Sequence, residues 1–413
     1  MIDTRERILA AAADEVRESG VAGVRLKRIA EHAGVTTPLL YRYFADRRSL
    51  IIAGTAEWIR GLGQAQSLIL HDTFDGASEI DAFVAAATSY ERLQQSPTTE
   101  ELRWGLAEGL ALIARHPEDA SEVLDMPANN TEIVLHSAQR SIGRRRLDEV
   151  SATALTRFLR SEWFGQLIVH LGGVDEHYED ERLLVVERMI RAVGGGRSVS
   201  HVDDLTPAGD SAPLDGIELD TEAPMRERIT HMSIVELETV GPEDFKVKRI
   251  AEKVGVTSAH VYRYFESRQE MIAAATAARY DAQATALLEA DVDADVDALT
   301  LFRRSAARSL REGSSGNRQI ALLSVVAARR FTGVIATLRQ SVLRSIDVWE
   351  KILGRLVVRG EIDCSVVSIP TAARMLHALS VGQTLFDGTD MLSVELDEWQ
   401  SLYGLFVSDV LVP

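Results

Sequence analysis

Apolar residues recur at helical spacing along most of the chain, and no long run alternates in the manner of a β-strand. Leu26, Ile29, Ala30 and Ala33 fall at i, i+3, i+4 and i+7, which gives a short helix with one apolar stripe. Longer segments with the same period are 80–90, 155–166, 182–190, 332–358, 368–385 and 396–411. The pattern therefore predicts an all-α protein.

The short amphipathic helix belongs to a segment that occurs twice. Residues 24–56 and 245–277 are offset by 221 positions and are identical at 17 of 33 positions. The apolar stripe returns in the second copy at Val247, Ile250, Ala251 and Val254. A repeat this long and this widely separated does not fit a solenoid, so it predicts a whole module duplicated within one chain.

Each copy has the punctuation of a helix-turn-helix. Gly34 and Gly255 stand where the first helix would end in a left-handed residue. Thr36 and Thr257 follow as N-caps of a second helix. The spacing predicts two helices joined by a turn of about three residues, as in DNA-reading pairs.

The second helix of each copy should have one inner and one outer face. At 100° per residue, Leu40 and Phe44 lie together and are expected to pack on the first helix. The residues expected to point outward are Pro38, Leu39 and Arg42, and in the second copy Ala259, His260 and Arg263. The tyrosines on the flanks, where a hydroxyl can reach a phosphate, are Tyr41, Tyr43, Tyr262 and Tyr264.

These residues resemble the tetracycline-repressor (TetR) family of transcriptional regulators. Residues 35–50 and 256–271 are similar to that family's recognition helix and the start of its fourth helix, and 5–8 and 226–229 match its first helix. The resemblance is specific over about 50 residues per copy. It implies an all-α fold of two tandem TetR-like modules, each with a helix-turn-helix DNA-binding head on a helical ligand-binding and dimerisation body.

The DNA contacts expected of the two heads fall into two groups. Residues expected to hold phosphates are Arg25, Lys27, Thr36, Tyr41, Tyr43 and Arg47, and in the second copy Lys246, Lys248, Thr257, Tyr262, Tyr264 and Arg268. Residues expected to read base edges are Thr37, Pro38, Leu39 and Arg42, and in the second copy Ser258, Ala259, His260 and Arg263.

The distribution of charge agrees with DNA-binding heads. The chain has a net charge of −17, but residues 24–48 and 245–269 each carry six Lys/Arg against two acidic residues. Each segment is therefore +4, which leaves −25 for the remainder of the chain. An acidic body should suppress non-specific adhesion to DNA, so that only the heads approach the duplex.

Composition divides the chain into five parts. A stretch with three consecutive glycines, three prolines and seven acidic residues against one arginine has no apolar period, which is typical of an exposed linker. The predicted parts are a first head at 1–48, a first body at 49–193, a linker at 194–224, a second head at 225–269 and a second body at 270–413. A disordered segment between independent domains is compatible with the same composition.

The predicted bodies offer few signs of chemistry. Tryptophan and methionine residues at helical spacing fit a core better than a pocket, although an apolar effector pocket stays open, with unknown ligand residues. The resemblance implies that Gly165-Gln166 and Gly382-Gln383, with the final helices, form a four-helix dimer interface. Histidines lack metal-ligand spacing, and no nucleophile is paired with a base, so neither metal, cofactor nor enzyme activity is expected.

The sequence therefore predicts a cytoplasmic transcriptional regulator, most simply a ligand-responsive repressor. Its partners would be a double-stranded DNA operator and an apolar small-molecule effector, and no apolar run is long enough for a membrane span. A chain with two heads is expected to act as a monomer and an intramolecular pseudo-dimer, on an imperfectly palindromic operator. The alternative is a small-molecule sensing or sequestering protein in which one or both heads have lost DNA binding.

Overall fold

The fold consists entirely of helices in the part of the chain that can be described. A computed structural model describes residues 3–93, 96–114, 116–142, 150–173, 176–195, 222–292, 297–312, 322, 325–326, 329, 332–386 and 392–411. These residues form 17 α-helices and no strand, which confirms the predicted all-α fold of two tandem helical modules. Within the same residues, no helix combines the length and the apolar character needed to cross a membrane.

The first half of the described chain contains nine α-helices. They are α1 (Thr4–Ser19), α2 (Leu26–Ala33), α3 (Thr37–Tyr43), α4 (Arg47–Phe74), α5 (Ile80–Leu93), α6 (Pro97–Ile113), α7 (Ala120–Ile142), α8 (Ala152–Gly172) and α9 (Glu176–Gly194). Helices α1 to α3 form the predicted first head, and α4 begins in that head and continues for 28 residues into the body. The predicted linker, 194–224, lies mostly outside the described residues.

The described second half contains eight α-helices in the same order. They are α10 (Met225–Asp244), α11 (Val247–Val254), α12 (Ser258–Val261), α13 (Arg268–Val292), α14 (Ala298–Glu312), α15 (Thr332–Val358), α16 (Ile369–Phe386) and α17 (Leu396–Leu405). The bounds of α15 coincide with those predicted from periodicity. The last predicted helix ends differently, because a π-helical turn over Phe406–Val410 follows α17.

The closest contact between the halves joins the helices α8 and α16. A Cβ atom on Gly165 would overlap the backbone carbonyl of Ala378, and a Cβ on Gly382 would overlap the carbonyl of Ser161. Gly165 and Gly382 are 217 residues apart, and so are Ser161 and Ala378, so the same contact is made twice with the halves exchanged. Glycine is required at both positions because the two backbones approach too closely for any side chain.

The polar contacts at this helix pair are not the same in both directions. Arg157 Nε donates to Gln383 Oε1 at 2.7 Å, so the first half reaches across to the second. The matching glutamine, Gln166, instead accepts from Tyr178 of its own half at 2.9 Å. The two halves therefore share a packing geometry but differ in their buried hydrogen bonds.

The first body encloses an ion cluster centred on Arg182. Its Nη1 atom lies 3.0 Å from Glu91 and 3.1 Å from Glu162, and all three side chains are buried. Its Nε atom lies 2.9 Å from Glu179. Partial burial opposes ionisation of Glu179, but the hydrogen bond from His170 and the charge of Arg182 lower its pKa to about 2. The cluster ties α5, α8 and α9 together.

A buried histidine on α16 makes stability depend on pH. Burial lowers the pKa of His377 to about 4 from its usual 6.5. The unfolded chain takes up this proton more readily, so its stability contribution is lost as the pH falls from about 6.5 to about 4.

Replacing His377 with methionine should remove this contribution. The free energy of unfolding of the unmodified chain, relative to His377→Met, should be about 2 kcal/mol lower at pH 5 than at pH 7. Urea unfolding followed by tryptophan fluorescence measures it. Equal pH dependence in the two proteins would contradict the prediction.

Candidate nucleic-acid interface

The two helix-turn-helix segments have the predicted turn geometry. α2 ends at Gly34 with a φ of +64°, and α11 ends at Gly255 with a φ of +76°. Both are left-handed conformations that disfavour a side chain, so glycine is needed at each turn. Leu40 and Phe44 are buried against the first helix of the pair, as their spacing predicts.

Most residues expected to contact DNA lie on the surface of the heads. Those that are exposed are Arg25, Lys27, Thr36, Pro38, Tyr41, Arg42, Tyr43, Lys246, Lys248, Thr257, Ala259, Tyr262 and Arg263. Those that are half-buried are Thr37, Leu39, Arg47, Ser258, His260, Tyr264 and Arg268. The arrangement is accessible to a duplex, while the role of each residue in binding stays a prediction.

The lysines on the first helix of each pair are only weakly held. Lys27 Nζ lies 3.7 Å from Glu31, and Lys248 Nζ lies 3.8 Å from Glu252, at side-chain exposures of 85% and 82% for the two lysines. Ion pairs this exposed contribute little to stability. Both ammonium groups can therefore exchange a carboxylate for a DNA phosphate at small cost.

Two of the expected phosphate contacts have another partner in the structure. Arg47 Nη2 donates to the backbone carbonyl of Val24 at 3.2 Å, and Arg268 Nε donates to that of Phe245 at 2.9 Å. Each bond joins the start of the long helix after the recognition helix to the residue before the first helix of the pair. The arginines thus fix the angle of that long helix within the head.

The two recognition helices begin and end differently. Thr36 occupies the N-cap position of α3 without a side-chain cap, whereas Thr257 Oγ1 accepts from His260 N at 3.2 Å. α12 has four α-helical residues against seven in α3. The His260 and Tyr264 rings then lie 5.6 Å apart, which orients the histidine on the outer face.

A buried glutamate in each head was not expected from the sequence. Glu15 accepts from Arg25 N at 3.1 Å and pairs with Arg28 at 3.2 Å, which holds α1 against the start of α2. The second head repeats these contacts 221 residues further on, at Glu236, Lys246 and Arg249. The signal was available, because an acidic residue at the same offset in two amphipathic helices indicates a shared role.

The first head is also attached to its body by polar contacts. Arg48 Nε donates to Asp119 at 3.1 Å, and the same guanidinium pairs with Glu118. Val21 N donates to the buried Glu108 on α6 at 3.1 Å. Among the described residues, Glu118, Asp119 and a neighbouring histidine are close enough to share a cation, but both carboxylates already bind Arg48.

The comparison with protein families decides what these heads are. The model for bacterial regulatory proteins of the tetR family matches residues 8–53 and again 229–275. The chain carries two tetR-family domains. Each match begins within the first helix of a head and ends in the long helix that leaves it, α4 or α13.

Membership in the tetR family makes this chain a DNA-binding transcriptional regulator by family. Both tetR-family domains contain the complete helix-turn-helix, with the glycine turn and the buried glutamate clamp. A comparison with curated proteins finds no relative that matches the chain.

Proposed function

We propose that this chain is a ligand-responsive transcriptional repressor whose two tetR-family heads bind one operator as an intramolecular pseudo-dimer. In this proposal residues 49–193 and 270–413 are the regulatory bodies. The heads supply the DNA contacts expected from the sequence, and the acidic bodies keep other surfaces away from the duplex.

The observation that carries the proposal is the twofold repetition of the α8–α16 contact. Gly165 against Ala378 and Gly382 against Ser161 are one contact made twice, which is the property of a self-complementary dimer interface. Here both partners belong to one chain. A second copy of the chain is therefore not needed to bring two heads onto one operator.

Long helices connect each head to its body and offer a route for regulation. α4 begins beside the recognition helix and ends at Phe74, which lines a cavity in the first body. Arg48 also joins the start of α4 to Asp119, next to α7. An effector that shifts α4 relative to α7 would change the position of the first head, and a coupling of about 1–3 kcal/mol suffices for regulation.

One observation favours the alternative of a sensing protein with a weakened second head. α12 is only four residues long, and Tyr264 is half-buried where Tyr43 is exposed. The cationic residues of that head nevertheless remain on its surface. Fluorescence anisotropy with selected operator DNA separates the two functions, because repressor binding should weaken steeply with salt.

We expect the DNA-binding species to be a monomer. Since the chain already has two heads, one copy can occupy two half-sites about one DNA turn apart. Light scattering of the free protein and of its operator complex should give one chain of 45.4 kDa per DNA. A stable species of twice this mass on the DNA would reject the pseudo-dimer.

The operator is expected to have two non-identical half-sites. The recognition helices share Tyr-Arg-Tyr-Phe but differ at the preceding positions, where Leu39 offers apolar contact and His260 offers a hydrogen bond. Such a difference is typically worth about 1–3 kcal/mol of discrimination between bases. Selection from random DNA should therefore recover an imperfect palindrome.

Exchanging the reading residues should make the preferred site more symmetric. The variant Thr37→Ser, Pro38→Ala and Leu39→His gives the first head the reading residues of the second. Arg25→Lys is the matched control, since Lys246 stands at that position in the second head and only a phosphate contact is expected there. A perfect palindrome for the unmodified chain, or an unchanged site for the triple variant, would contradict the prediction.

A further inference from the structure

A small cavity lies in the first body among α4, α5, α7 and α8. Its apolar wall is formed by Phe74, Ala87, Val134, Leu159 and Trp163. Its polar wall is formed by Tyr90, Glu91 and Arg160. The volume of about 20 Å³ is enough for roughly one water molecule, so the cavity is in a closed form.

Arg160 is an unusual residue in this wall. Its side chain is more than nine-tenths buried, and its Nε atom has no hydrogen-bond partner among the described residues. The guanidinium lies 4.7 Å from the centre of the Trp163 ring. A buried cation with an unused donor is costly unless something pairs with it.

A second arginine reaches the same tryptophan. Arg103 on α6 lies 4.9 Å from the centre of the Trp163 ring, is equally buried, and also has an unpartnered Nε among the described residues. Burial lowers the pKa of both guanidinium groups, which reflects the cost of their charge in this environment.

The surrounding charges do not neutralise the two arginines. Arg103, Arg160 and Arg182 face only two carboxylates that are as deeply buried, Glu91 and Glu162. Both of those carboxylates are bonded to Arg182. The buried group therefore has an excess of one positive charge, and it lies beside an apolar cavity.

The second body has different chemistry at the matching positions. Arg160 lies five residues before Gly165, and His377 lies five residues before Gly382. Trp163 corresponds in the same way to Ser380. Since burial lowers the pKa of His377 to about 4, that position is neutral at pH 7. The excess buried charge is a feature of the first body.

We propose that the first body binds an organic anion, a carboxylate on an apolar aromatic or aliphatic body, with Arg160 and Arg103 as its carboxylate-binding residues. The carboxylate accepts hydrogen bonds from the two free Nε atoms, and the apolar part enlarges the cavity between Phe74, Val134, Leu159 and Trp163. One such anion binds per chain. Its effect on DNA rests on the proposed repressor function, whereas its binding does not.

Calorimetry of the full chain without DNA tests the site. The probes are benzoate, 2-naphthoate and decanoate, each compared with its neutral alcohol, namely benzyl alcohol, 2-naphthylmethanol and decanol. At least one carboxylate should bind once per chain and about tenfold or more tightly than its alcohol, because a charge-assisted hydrogen bond is lost in the alcohol. Equal affinities, or no binding by any carboxylate, would overturn the proposal.

Variants separate the arginine from general apolar binding. Arg160→Met should weaken carboxylate binding about tenfold or more and leave alcohol binding unchanged, and Arg160→Lys should retain part of the preference. His377→Met is the matched control in the second body and should change neither. If Arg160→Met is not folded by thermal denaturation, Arg103→Met replaces it with the same expectation. Unchanged carboxylate affinity in the folded variant would overturn the assignment.

Operator DNA then distinguishes this site from the proposed function. Carboxylate binding without release of DNA supports the anion site and contradicts ligand-responsive repression. Failure to bind any selected DNA, with carboxylate binding intact, contradicts the regulator while the site stands. Loss of the carboxylate preference with normal DNA binding contradicts the site alone.

Discussion

Replacing Gly165 with alanine is expected to destabilise the chain by about 3 kcal/mol. The added methyl group would occupy the position of the Ala378 carbonyl, which belongs to the backbone of α16 and cannot rotate away. α8 and α16 would have to separate along their whole contact. Urea unfolding at pH 7, followed by tryptophan fluorescence, measures the change.

The pseudo-twofold contact makes a second expectation for the same interface. Gly382→Ala should cost a similar amount, because its methyl group would overlap the Ser161 carbonyl. The double variant should cost less than the sum, since both substitutions disrupt one contact. Full additivity would contradict the account of a shared interface.

A glycine elsewhere provides the control. Gly354 lies inside α15, and a Cβ atom there would have no neighbour within 4 Å. Gly354→Ala should stabilise the chain by about 0.5–1 kcal/mol, since alanine is the better helix former. If Gly165→Ala behaves in the same way as Gly354→Ala, the close approach of the two backbones is wrong.

Replacing Arg182 with methionine is expected to cost about 3–5 kcal/mol at pH 7. The variant keeps most of the side-chain volume but leaves Glu91 and Glu162 buried together without their cation. Breaking one partner of a buried ion group is more costly than removing the whole group, because the remaining charges stay desolvated. The free energy of unfolding by urea tests this.

The pH dependence of this variant has a defined sign. Without Arg182 the two carboxylates take up protons more readily in the folded state, so acid should stabilise the variant relative to the unmodified chain. The difference between them should therefore shrink as the pH falls from 7 to 5. A difference that grows over this range would contradict the mechanism.

Two further variants control for the loss of an arginine. Arg191 is on the same helix, α9, and its ion pairs with Asp81 and Glu187 are largely exposed, so Arg191→Met should cost about 1 kcal/mol or less. Adding Glu91→Gln and Glu162→Gln to Arg182→Met should recover part of the lost stability. Equal costs for Arg182→Met and Arg191→Met would show that burial of the cluster does not matter.

The sequence determined the features that arise from local spacing. Helical period gave the bounds of α15, and the repeat gave two heads with glycine turns at Gly34 and Gly255. These features are local because helix geometry and the left-handed turn depend on residues within a few positions of one another. Repetition within the chain added the pairing of Gly165 with Gly382, since matched positions stand out when a module occurs twice.

Only the tertiary structure decided which buried polar groups meet. Arg103, Arg160 and Arg182 are spread over 80 positions, and their spacing on α6, α8 and α9 resembles that of ordinary helix-surface residues. Their burial follows from how three helices pack around Trp163, and that packing depends on contacts between distant segments. The free Nε atoms, the excess charge and the closed cavity exist only once those helices are assembled, because burial and pairing are properties of the packed core.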